Sequence, residues 1–111
     1  MSTILKIDNN EIYELEVSFN SLCLVEEIEG KSAELIFQEG NIGFKLMRTL
    51  FYAALNTKNP LITLEGAGVI AGNFCKANGF AKFVSTIMDE YQNSGCLGEA
   101  DKNESDEDKK K

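Results

Sequence analysis

Residues 61–74 read LITLEGAGVIAGNF, and the fold turns on whether they hold a strand with a glycine loop or a capped helix. A dinucleotide-binding loop is spaced G-x-G-x-x-G between a strand and a helix, with a second parallel strand and an acidic residue about 20 positions on. Here Gly66, Gly68 and Gly72 are spaced G-x-G-x-x-x-G, and Asp89, at about the right distance, falls inside the helical pattern of residues 80–91. A Walker-type phosphate loop needs lysine and Ser or Thr after its last glycine, where this chain has Asn73 and Phe74. The stretch reads instead as a helix over residues 63–78, with Thr63 as N-cap, Leu64 and Glu65 in its first turn and Gly79 as its stop. Glycine in a helix interior costs roughly 1 kcal/mol against alanine, so three of them imply either close packing or a loose, easily remodelled helix.

Working outward, TILKIDNNEIYELEV alternates apolar and polar residues around Asn9-Asn10, a pair that tolerates left-handed backbone, and so predicts a β-hairpin over residues 3–17. A two-residue loop would set Leu5 against Glu14. A loop of residues 9–11 sets Ile7 against Tyr13, Leu5 against Leu15 and Thr3 against Val17, which keeps the apolar residues on one face. In SFNSLCLVEEIEGKS, Ser18 or Asn20 can cap a helix over residues 19–29 and Gly30 can end it, with Phe19, Leu22, Val25 and Ile28 at helical spacing. Glu26, Glu27 and Glu29 read as its solvated face. AELIFQEG forms a short helix over residues 33–39, closed by Gly40.

The segment GFKLMRTLFYAALNTKN predicts a helix over residues 43–56 that is apolar on most sides, which belongs at the centre of a packed domain or partly in an interface. A last helix over residues 80–92 aligns Phe80, Phe83, Val84, Ile87 and Tyr91 along one face. Beyond Gly98, EADKNESDEDKKK is too poor in apolar residues to offset the entropy of its own ordering. The pattern therefore predicts one α+β domain over residues 1–94, a hairpin followed by four to five helices, and a flexible charged tail over residues 95–111.

The 111 residues, 43% of them hydrophobic, suit a single core. The three cysteines, Cys23, Cys75 and Cys96, form no C-x-x-C pair, and histidine is absent, which removes the commonest general base and transition-metal ligand. Neither an enzyme nor a bound metal or cofactor is expected. The tail residues Asp101, Asn103 and Ser105 have calcium-loop spacing, but Asp106 stands where that loop needs glycine. The net charge of −7, with the seven basic residues before position 99 spread out, disfavours nucleic acid. The start MSTILKIDNN has no basic region leading into a long apolar run, and no stretch approaches the ~20 apolar residues that span a bilayer, so a soluble protein without a membrane partner is expected.

The blocks ILKIDNNEIYELEVSF, FNSLCLVEEIEGKS, RTLFYAAL and NPLITLEGAGVIAG, spread over about residues 3–92, resemble the tail assembly chaperones of long-tailed bacteriophages and related prophage and gene-transfer-agent elements. The matching positions are Phe19-Asn20 at a helix start, Glu26, Glu27 and Gly30-Lys31-Ser32 at its end, Tyr52-Ala53-Ala54-Leu55, and Thr63-Leu64-Glu65. Family members usually continue with better helix formers where this chain has Gly66, Gly68 and Gly72. The resemblance implies a non-enzymatic factor in the host bacterial cytoplasm, absent from the mature virion. Such a factor coats the tape measure protein, keeps it soluble and brings major tail tube protein to it; self-association into a homo-oligomer is compatible with this role. A longer frameshifted form is common in the family. The run Lys109-Lys110-Lys111 fits a slippery codon series and equally a solubilising terminus. Exposed members of the set Val69, Ile70, Phe74, Phe80, Phe83, Ile87 and Tyr91 are the candidate partner contacts. The alternative function is a small acidic adaptor or inhibitor of a basic host protein.

Overall fold

The computed structural model describes residues 2–7, 11–39 and 43–95; the expected tail beyond Gly95, the Asn9-Asn10 turn and the Gly40 stop lie outside them. Two antiparallel strands, β1 (Ser2–Lys6) and β2 (Ile12–Glu16), precede five helices: α1 (Phe19–Glu29), α2 (Ala33–Glu39), α3 (Phe44–Lys58), α4 (Leu64–Asn78) and α5 (Phe80–Asn93). The α+β order expected from the sequence is the one observed.

The hairpin register corrects the expected one. Leu5 faces Tyr13 and Thr3 faces Leu15, and the Ile7 N–H donates to the Glu11 carbonyl at 2.9 Å. The pairing is thus shifted by two residues from the expected Leu5–Leu15 match. A shift of two returns every side chain to its own face, so the apolar alternation is blind to it. Leu5, Ile7, Leu15 and Val17 are buried in either case.

α3 lies at the centre, packed against β2, α1, α4 and α5. Its Met47, Leu50, Phe51, Ala53, Ala54 and Leu55 are all buried, as periodicity demands of a helix apolar on most sides. Asn59 caps it and ties it to the sheet: its side-chain amide donates to the Leu55 carbonyl at 2.9 Å and the Glu14 carbonyl at 3.1 Å. Lys58 adds an ion pair to Glu16 at 3.2 Å.

Ser18 caps α1 by accepting from the Ser21 N–H, and the Ser21 hydroxyl accepts from the Ser18 N–H in return. Ser21 also meets the Thr57 hydroxyl at 2.9 Å, joining the start of α1 to the end of α3. Gly30 ends α1 at φ 76°, where glycine carries no Cβ penalty.

Two of the three acids read as a solvated face have structural partners. Glu26 accepts from the Ala33 N–H at 2.7 Å, satisfying a free donor at the start of α2. Glu29 accepts from the buried Thr49 hydroxyl at 2.7 Å. Sequence spacing along α1 alone does not show these contacts, because both partners lie on other helices.

Candidate functional site

The stretch Leu64–Asn78 is helical throughout, capped by the Thr63 hydroxyl, which accepts from the Gly66 N–H at 2.9 Å. Ala67, Ile70 and Phe74 turn one side of α4 into the core. The flank beside that stripe carries Glu65, Gly68, Gly72 and Cys75, and it forms one wall of a groove of about 510 Å³. Val69 and Ala71 of the same helix, Phe44, Met47 and Arg48 of α3, and Phe80 and Phe83 of α5 complete the lining.

The glycines of α4 have different reasons. A Cβ on Gly68 would stand 3.2 Å from Cδ of Arg48, so the arginine stem lies tight across α4 at that point. A Cβ on Gly66 would crowd the Thr63 cap at 3.2 Å. Gly72 has nothing within 4 Å of its Cβ position and leaves the groove wall bare. Close packing therefore accounts for Gly68 but not for Gly72.

Aromatic contacts run from the core to the rim. Phe51 meets Phe83 edge-on at 5.3 Å between centroids, Phe83 stands 6.4 Å from Phe80, and Phe80 stands 4.8 Å from Phe44. Phe83 and Phe51 are buried, whereas Phe44 is 77% exposed and Phe80 36%. Together with Val69, 63% exposed, they give the groove a wet apolar lip.

Of the seven expected contact residues, Ile70, Phe74, Phe83, Ile87 and Tyr91 are buried core residues, of which Phe83 also lines the groove. Val69 and Phe80 are on the surface and both line the groove. Phe44 and Arg48 belong with them and were not singled out by the sequence. The signal for Arg48 was there: it is the one charge inside the run LMRTLFYAAL.

Arg48 is the groove's unusual element. Its Nε–H is buried and has no acceptor among the described residues. A buried donor without a partner forfeits roughly 1–3 kcal/mol of hydration. Burial also pushes the Cys75 thiol pKa up, which makes it a poor nucleophile.

A second groove of about 500 Å³ lies between α1 and α2, lined by Phe19, Leu22, Cys23 and Phe37 with Glu26, Glu34 and Gln38. Phe19, expected on the apolar stripe of α1, is 74% exposed there. As the first residue of its helix it has no preceding turn to pack upon.

Among the described residues, no three His, Cys, Asp or Glu side chains gather to hold a metal ion, and no helix is long and apolar enough to cross a membrane. The chain matches no protein-family model, no curated protein and no solved structure.

Proposed function

We propose that the chain is a tail assembly chaperone of a long-tailed phage or prophage. It binds the tape measure protein through apolar surface, keeps it soluble in the host cytoplasm and helps recruit tail tube subunits. The observation that carries this reading is the apolar lip of Phe44, Val69 and Phe80 on a chain of net charge −7. A holdase needs that combination: large apolar side chains in contact with water to bind a client, and like charge between copies to prevent their own association. The hairpin-to-Thr63 sequence pattern supplies the phage assignment.

Co-expression with the long coiled-coil protein encoded beside it tests the proposal. The client is soluble and co-purifies when the chain is present and is insoluble when it is not. Equal insolubility in both cases, with no complex recovered, refutes it. A wash at high salt separates this from an acidic adaptor of a basic protein, because apolar contacts survive ~1 M salt whereas exposed ion pairs are screened within about 3 Å.

A further inference from the structure

We infer that β1 is a docking edge for a second copy of this chain, the two β1 strands pairing antiparallel about a two-fold axis through Ile4. The inference stands apart from the chaperone reading, because it rests on the hairpin and not on the apolar lip.

The ladder decides which backbone groups face outward. The Ile7 N–H is bonded to the Glu11 carbonyl, and hydrogen-bonded pairs recur at every second residue of an antiparallel ladder, so Leu5–Tyr13 and Thr3–Leu15 are the next such pairs. Ile4 and Lys6 alternate with them, and their N–H and C=O groups point away from β2. Among the described residues nothing is hydrogen-bonded to those groups. The outer edge of β2 is different. The Asn59 amide donates to the Glu14 carbonyl at 3.1 Å, the Ser21 hydroxyl reaches the Glu16 carbonyl at 3.5 Å, and α3 packs along the strand. Among the described residues the sheet is thus open on the β1 side and closed on the β2 side.

An open edge takes an extended strand, whose alternate N–H and C=O groups match its own. β1 is its own complement. Turned about Ile4, its Ile4 exchanges two hydrogen bonds with the partner's Ile4, Lys6 lies opposite the partner's Ser2, and Leu5 lies beside the partner's Thr3. Ile4, 61% exposed in the single chain, thereby gains a β-branched cross-strand neighbour.

Charge permits this pairing although the chain is acidic. The strand, STILK, contains no acid. The Glu14 carboxylates of two copies, each opposite its own Ile4, stand three strand spacings or roughly 14 Å apart, beyond the ~8 Å screening length. The like charge that keeps two apolar lips apart therefore does not oppose contact here. A second copy also brings its open edge in equal amount, and because the β2 edges are closed the association stops at two.

Sedimentation equilibrium over about 5–500 μM covers the micromolar dissociation constants expected of so small a contact. The full chain passes from monomer to dimer over that range and goes no further. Ile4→Lys sets like charges about 5.5 Å apart across the axis and weakens the dimer at least tenfold, with an unchanged circular dichroism spectrum. Amide exchange adds a residue-level readout: the Ile4 and Lys6 amides are protected only at high concentration, whereas those of Leu5 and Ile7 are protected throughout. Ile4→Cys brings two Cα atoms to about 5.5 Å, within disulfide reach, and crosslinks on mild oxidation. Ile12→Cys, on the same face but more than about 14 Å from its counterpart, behaves as the wild-type chain with its three native thiols.

A chain that stays monomeric over the whole range overturns the inference, as does a dimer undiminished by Ile4→Lys, growth beyond two copies, or equal crosslinking through Ile4→Cys and Ile12→Cys. Should Ile4→Lys fail to fold, amide exchange on the wild-type chain decides. Client rescue by a strictly monomeric chain would remove the dimer and leave the chaperone reading standing; a dimer with this register and no client rescue would do the reverse.

Discussion

Tyr91 joins stability and pH in one side chain. It is fully buried, stands 5.9 Å from the Phe37 ring, and its hydroxyl donates to the Leu50 carbonyl at 2.6 Å, fastening α5 to α3. Burial, with a smaller contribution from the Glu90 carboxylate, holds its pKa well above the ordinary phenol range. In the unfolded chain the phenol ionises near 10, so above that pH unfolding releases a proton that the folded state retains. The contribution is therefore complete below pH ~10 and is lost as the pH rises beyond it. Tyr91→Phe should lower stability by about 1 kcal/mol at neutral pH, the net worth of a typical hydrogen bond, and should flatten the alkaline fall. Urea midpoints at pH 7 and pH 11 for the two proteins check both effects, and parallel alkaline slopes would show that Tyr91 is not the group responsible.

α4 is the element on which sequence and structure can be compared most closely. Its Thr63 cap should contribute about 1 kcal/mol, lost in Thr63→Ala. Gly72→Ala should add roughly 0.5–1 kcal/mol, because helix propensity improves and the new methyl meets open space. Gly68→Ala should gain less, since the Arg48 stem must give way at 3.2 Å. Chemical denaturation of the three variants separates them, and equal gains at Gly68 and Gly72 would contradict the packing described. The helix itself was legible because a hydroxyl cap, an i, i+3, i+7 apolar stripe and a terminal glycine agree with one another. Which side of an apolar stripe meets core and which meets solvent was not legible, because periodicity reports a face and not what covers it. Hence Phe83, Ile87 and Tyr91 proved interior while Phe80, on the same face of α5, reaches the rim. The hairpin's two-residue shift escaped for a related reason: alternation fixes the face of Leu5 and leaves its opposite partner free. Arg48 was visible only as a lone charge in an apolar run, since the absence of an acceptor among the described residues is a fact of three dimensions.

The hairpin and all five helices bury one apolar cluster around α3, while Phe44, Val69 and Phe80 stay exposed. That division predicts that surface and stability can be altered separately. Replacing Phe44, Val69 and Phe80 together by serine removes the apolar lip and leaves Phe51, Phe83 and Tyr91 in place, so the fold should persist, as circular dichroism would verify. The client that the proposed function assigns, a tape measure protein, is then co-expressed with the wild-type and with the triple variant, and its soluble fraction is measured. A client held soluble by the wild-type chain but not by the folded variant is the outcome the account predicts. A client equally soluble, or equally insoluble, with both would contradict it.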